Sequence, residues 1–85
     1  MDKSVFTREY DVLREMLRAG REKANLTQFA VAHRLKETQS FVSKVERGER
    51  RLDLVQLRAF CQAIGLGLVP FVTEFEARLG DRRRR

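Results

Sequence analysis

The sequence predicts an all-α domain of five helices, and three observations carry that prediction. Apolar residues recur at intervals of three and four along the chain, which is the spacing of one helix face. No stretch alternates strictly between apolar and polar residues. No Asn-Gly or Asp-Gly dipeptide marks a hairpin turn.

The elements follow in order. A first helix spans residues 7 to 23 with Phe6, Tyr10, Leu13 and Leu17 on one face, and it ends at Asn25, a residue that tolerates the left-handed conformation. Thr27 caps a short second helix over residues 28 to 35. After Lys36 and Glu37, Thr38 caps a third over residues 39 to 47, closed by Gly48. A fourth helix begins at Asp53, where Gln56 completes a capping box and Leu52 staples to Leu57. Leu57, Phe60, Cys61 and Ile64 are its buried stripe, and Gly65 ends it. Pro70 suits the first position of a fifth helix, about residues 70 to 79, carrying Phe71, Phe75 and Leu79 at spacings of four. Residues 80 to 85 read as a frayed basic tail, so the domain is 1–80 and the tail proper is 81–85.

Eighty-five residues leave room for one domain with a small core. A single cysteine, Cys61, excludes an intrachain disulfide, and no Cys/His cluster has metal-ligand spacing. No apolar run approaches a membrane span, and the start of the chain lacks the pattern of a signal peptide, so a cytoplasmic protein is expected. The net charge of +6 is less informative than it looks, because four of the eighteen basic residues are the terminal arginines. Position says more: Lys44, Arg47, Arg50 and Arg51 crowd into eight residues, opposed by Glu46 and Glu49.

Residues 28 to 47 carry the functional signal. Their apolar pattern suits two helices packed at a steep angle, with Val31, Leu35, Val42 and Val45 between them and the small Ala32 at closest approach. Together with Leu26-Thr27-Gln28, the run from Gln39 through Gly48 and Ala63-Ile64-Gly65, this segment resembles the lambda-repressor-like, xenobiotic-response-element-type (XRE) helix-turn-helix family. The resemblance spans residues 17 to 66, about three fifths of the chain.

That resemblance implies a DNA-binding transcription regulator whose third helix enters the major groove. By position, Gln39, Ser40, Ser43 and Lys44 are the implied base readers. Gln28, Thr38, Arg47, Arg50 and Arg51 are the implied backbone contacts. Arg21 and Glu46 occupy positions that form an ion pair in several members, which leaves Lys44, Arg47, Arg50 and Arg51 free for DNA. Three residues depart from the family pattern. Lys36 stands where a turn glycine is commonest, Glu37 where an apolar residue is frequent, and Phe29 where a polar one is usual, which exposes it beside DNA or at a partner surface.

Phe71, Phe75 and Leu79 by default close the fifth helix onto the core, yet with Leu66, Leu68, Val69 and Val72 nearby the apolar surface exceeds what four preceding helices cover, so Phe71, Val72, Phe75 and Leu79 are expected to form a homodimer interface. A dimeric repressor on a pseudo-palindromic double-stranded operator is the expected function. The alternative is a protein-interaction module of the same fold, such as an antitoxin covering a toxin, or one docking on a co-regulator. No catalytic residue, cofactor or metal ligand is expected: the motif offers no nucleophile with a base, and His33 has no ligand partner at suitable spacing.

Overall fold

A computed structural model of the chain describes residues 7–83, with side chains through residue 80. Five helices follow one another: α1 (Arg8–Lys23), α2 (Gln28–Leu35), α3 (Gln39–Glu46), α4 (Leu54–Ala63) and α5 (Leu68–Arg83). No strand occurs among the described residues. Phe6 and the last two arginines lie outside them.

Local chemistry sets most boundaries. The hydroxyls of Thr7, Thr27 and Thr38 accept from the backbone N–H three residues on, at 3.3, 3.0 and 3.0 Å, and so satisfy donors with no intrahelical partner. Asp53 and Gln56 form the reciprocal capping box, at 2.7 and 2.9 Å. The first four helices all end alike, each with a residue at positive φ: Asn25, Lys36, Gly48 and Gly65. At each end the next N–H returns five residues back, from Leu26 to Arg21 (3.1 Å), Glu37 to Ala32 (2.9 Å), Glu49 to Lys44 (2.8 Å) and Leu66 to Cys61 (2.8 Å). Lys36, at φ 60 and ψ 40, accepts the left-handed conformation without being glycine, a strain of roughly 1–2 kcal/mol.

The core is drawn from all five helices. Leu17, Val31, Val42, Val45, Phe60 and Cys61 are fully buried, each large apolar side chain stabilising the fold by roughly 1.5–3 kcal/mol relative to exposure. On α1 the buried positions are Val12, Met16 and Leu17, while Tyr10 and Leu13 of the expected stripe are half-buried at its edge. Gly20 brings α1 against the α4–α5 joint, where an added Cβ would lie 2.9 Å from Ile64 Cδ1.

The fifth helix differs from expectation at both ends. It begins at Leu68, with Phe71 N–H bonded to the Gly67 carbonyl at 3.1 Å, so Pro70 is the third helical residue. Proline is accommodated there because a first-turn N–H has no intrahelical acceptor to lose. The helix also continues through Gly80 to Arg83, so the basic tail is helical over its first residues. The chain turns by 105° between α4 and α5. Phe71 and Leu79 consequently fall into the protein's own core, at 4% and 8% exposure, rather than onto a free face. Phe75 packs half-buried against that core, leaving Val72 as the exposed member of the expected dimer surface.

Candidate nucleic-acid interface

Val31 and Ala32 of α2 and Val42 and Val45 of α3 close the helix-turn-helix from within. Burying that face of α3 leaves the opposite one outward. Gln39, Ser40 and Lys44 are exposed and Ser43 is half-buried. The four residues expected to read bases therefore share one solvent-facing row on an eight-residue helix.

Behind the row lies the expected ion pair. Arg21 donates to Glu46 through Nε (2.6 Å to Oε2) and Nη2 (3.0 Å to Oε1), and its Nη1 donates to the Leu26 carbonyl at 2.8 Å. Both side chains are largely buried, at 11% and 3% exposure, so the pair has lost most of its solvation and depends on its geometry. The hydrogen bond to Glu46 raises the Arg21 pKa above its ordinary value, against the desolvation that lowers it. Glu46 is held again from α1, where Arg14 Nη1 donates to its carbonyl at 3.2 Å. Two guanidinium groups thus sit at the carboxyl end of α3, the end where a cation is favourable.

Gln28 links this pair to the outward row. Its Nε2 donates to Glu46 Oε1 at 3.0 Å, and its Oε1 accepts from Gln39 Nε2 at 2.7 Å. Thr38 uses its oxygen to accept from the Phe41 N–H, which leaves the hydroxyl proton able to donate outward.

The basic cluster after α3 is less open than the sequence suggested. Arg47 is not free: it forms a two-pronged ion pair with Glu49, at 3.1 and 3.0 Å, and its Nη1 donates to the Ser43 hydroxyl. Glu49 lies two residues away beyond the helix end, so no helix-face rule exposes the pairing. That hydrogen bonding raises the Arg47 pKa and lowers that of Glu49, with Lys44 adding to the field on Glu49. Arg50 and Arg51 instead rest on aromatic faces, 5.1 Å from the centre of Phe41 and 4.8 Å from that of Tyr10. Both residues remain exposed. Burial raises the Tyr10 pKa, with Arg51 and Arg14 pulling the other way.

Tyr10, Arg14 and Arg34 make long-range hydrogen bonds that the sequence does not announce. Arg34 Nη1 donates to the Ala63 carbonyl at 2.7 Å, tying α2 to the end of α4. Cys61 is completely buried, and burial pushes its thiol up to about 11. Among the described residues no group of His, Cys, Asp and Glu is arranged to hold a metal ion, and no single helix is long and apolar enough to cross a membrane. Phe29, on the first turn of α2, is 71% exposed.

The comparisons agree with this architecture. A family described as "Helix-turn-helix domain" matches residues 12–70. An XRE-family like protein from Pseudomonas syringae pv. tomato str. DC3000 is 38% identical and superposes with a TM-score of 0.83, covering 89% of this chain and 93% of its own. The wild-type restriction-modification controller protein C.Esp1396I shares the fold at 16% identity, with a TM-score of 0.78 over 86% of this chain and 96% of its own. No curated protein matches the sequence. With a helix-turn-helix family matching most of the chain and an XRE-family like protein at 38% identity over 89% of it, the function supported is that of a DNA-binding transcription regulator, and the chain belongs to the XRE family of helix-turn-helix proteins.

Proposed function

We propose that this protein is a homodimeric repressor that recognises a pseudo-palindromic operator by inserting one α3 per half-site into the major groove. The observation that carries the reading is the row of Gln39, Ser40, Ser43 and Lys44, which faces outward while α3 is fixed from behind through Glu46. Gln39 offers an amide suited to adenine and Lys44 a donor suited to guanine O6 and N7. Gln28, Thr38, Arg47, Arg50 and Arg51 serve the phosphates, with Arg47 leaving Glu49 to do so. Two copies would join along α5, where Val69 and Val72 are exposed, and a pseudo-palindromic operator then calls for recognition helices about 34–36 Å apart.

Selection of bound duplexes from a random DNA pool, followed by titration of variants at several salt concentrations, tests this. Gln39→Ala and Lys44→Ala should each cost about 1–3 kcal/mol on the selected operator and relax one base pair per half-site. Arg50→Ala and Arg51→Ala should weaken all duplexes alike and reduce the salt slope by about 0.9 per contact. Unchanged base preferences in Gln39→Ala and Lys44→Ala would sink the assignment of α3 as the reading helix.

A second reading has one observation in its favour. Phe29 and His33 lie one turn apart on α2 and both are exposed, a surface suited to a protein partner such as a toxin or co-regulator. A stoichiometric complex with such a protein, together with negligible sequence preference on DNA, would favour it.

A further inference from the structure

We propose that Glu46, acting through Gln28, fixes the donor–acceptor polarity that Gln39 presents to DNA, and so determines which base Gln39 prefers. The inference rests on the reading that Gln39 faces base edges.

The reasoning starts at Arg21. A guanidinium has only donors and stays protonated, and two of its nitrogens meet the two oxygens of Glu46 at 2.6 and 3.0 Å. The carboxylate paired in this way is ionised, and it offers acceptors alone. Gln28 meets Oε1 of that carboxylate at 3.0 Å. Its amide has one end that donates and one that accepts, so only the NH2 end can face inward. The Gln28 carbonyl is thereby turned outward, and it lies 2.7 Å from Gln39. A carbonyl there demands an N–H, so Gln39 must turn its NH2 end toward Gln28. What Gln39 has left is its own carbonyl and its second N–H. One acceptor beside one donor complements the N6 donor and N7 acceptor of adenine.

The opposite polarity would present a different code. If the Gln39 carbonyl faced Gln28, both N–H groups would be left outward, a set that complements the two acceptors of guanine, O6 and N7. Nothing in Gln39 itself selects between these arrangements. The choice is made two side chains away, by Glu46, whose side chain is 3% exposed and touches no solvent-facing row. Among the described residues no buried side-chain nitrogen or oxygen lacks a partner, so the relay is closed at its inner end.

Glu46→Gln reverses the relay. With the new carbonyl kept on Arg21 Nε, the shorter of the two contacts at 2.6 Å against 3.0 Å, the NH2 takes the Oε1 place opposite Gln28, and both following amides turn over. Gln28→Met cuts the relay while leaving Arg21 and Glu46 paired. Two readouts are needed: base frequencies in duplexes selected from a random pool, and side-chain amide 15N–1H spectra of Gln28 and Gln39 in the free protein. The wild type should favour adenine over guanine at one base pair per half-site by about tenfold. Glu46→Gln should move that preference toward guanine, Gln28→Met should bring it near unity, and the base read by Lys44 should keep its ranking in both. In the free protein the Gln28 and Gln39 amide signals should shift in Glu46→Gln. A Glu46→Gln protein that is folded by circular dichroism and keeps the wild-type base ranking overturns the proposal. So do amide signals that do not move. If Glu46→Gln does not fold, an unaltered adenine preference in Gln28→Met overturns it instead. Amide signals that shift in Glu46→Gln, with a wild type that prefers no duplex, would locate the failure in the DNA reading and not in the relay.

Discussion

The Tyr10 hydroxyl donates to the Arg50 carbonyl at 3.1 Å, so a phenol near the start of α1 holds the main chain that carries two arginines proposed to meet phosphate. The same ring lies under Arg51. Tyr10→Phe keeps the ring and removes the hydrogen bond. Urea unfolding should show a loss of about 0.5–1.5 kcal/mol, and binding should weaken equally on specific and scrambled duplexes. A loss confined to the specific duplex would contradict this placement.

Arg21 and Glu46 should show strong coupling. Removing either partner leaves the other charge buried, at about 3–5 kcal/mol, whereas an exposed pair is worth about 1 kcal/mol or less. A double-mutant cycle with Arg21→Met and Glu46→Leu, measured by denaturant unfolding, should give a coupling well above 1 kcal/mol. The double variant should lie closer to wild type than the sum of the singles.

Glu49 competes with DNA for Arg47. Glu49→Gln removes a like-sign repulsion toward phosphate and releases the guanidinium. Affinity should rise on every duplex, with a steeper salt dependence, when anisotropy titrations are compared at several salt concentrations. An unchanged salt slope would remove Arg47 from the phosphate contacts.

The thiol of Cys61 is raised by burial from 9.0 to about 11. The folded state therefore holds this proton more tightly than the unfolded chain does. Its contribution to stability is complete below pH 9 and is lost as pH climbs toward 11, with each unit of pKa difference equivalent to about 1.4 kcal/mol. Unfolding free energies across pH 8–11 should fall less steeply in Cys61→Ala than in the wild type, although its stability at pH 7 is lower because of the cavity.

Val72 is 38% exposed and Val69 75%, which makes them better tests of self-association than the buried Phe71. Val69→Glu with Val72→Glu should shift light-scattering mass toward the monomer without unfolding the chain. If the wild type is itself a monomer at tens of micromolar, with and without DNA, the dimeric operator arrangement is wrong.

The features legible in the sequence were those that depend on near neighbours in the chain. Thr27, Thr38 and the pair Asp53 and Gln56 announce helix starts because a cap is made within three residues. The positive φ at Asn25 and Lys36 follows from where the pattern breaks. Only the family resemblance points to Arg21 with Glu46, since 25 residues separate them. Where two long-range partners meet without a shared pattern, the sequence was silent, as for Arg34 with the Ala63 carbonyl and Arg14 with that of Glu46. Periodicity identified the apolar face of α5 correctly but cannot say what covers it. Phe71 and Leu79 lie in the core with Val12 and Met16 of α1, two positions outside the α1 stripe that the spacing marks.

Anchoring α3 at one end makes it a lever. Arg14 and Arg21 both grip Glu46, the last residue of the helix, with charged groups, whereas Gln39 at the other end meets α2 through a neutral amide hydrogen bond to Gln28. At 1.5 Å per residue, Gln39 lies about 10 Å along the axis from that pivot and Lys44 about 3 Å. A tilt of about 10° would carry Gln39 through roughly 2 Å but Lys44 through only about 0.5 Å, on the same helix geometry. If α3 docks as proposed, accommodation to grooves of different width should be concentrated at the amino end of the helix, with the base pair proposed for Lys44 setting the register. Residual dipolar couplings on two operators of unequal groove width should show the tilt growing toward Gln39; equal displacement at both ends would mean that the helix slides instead.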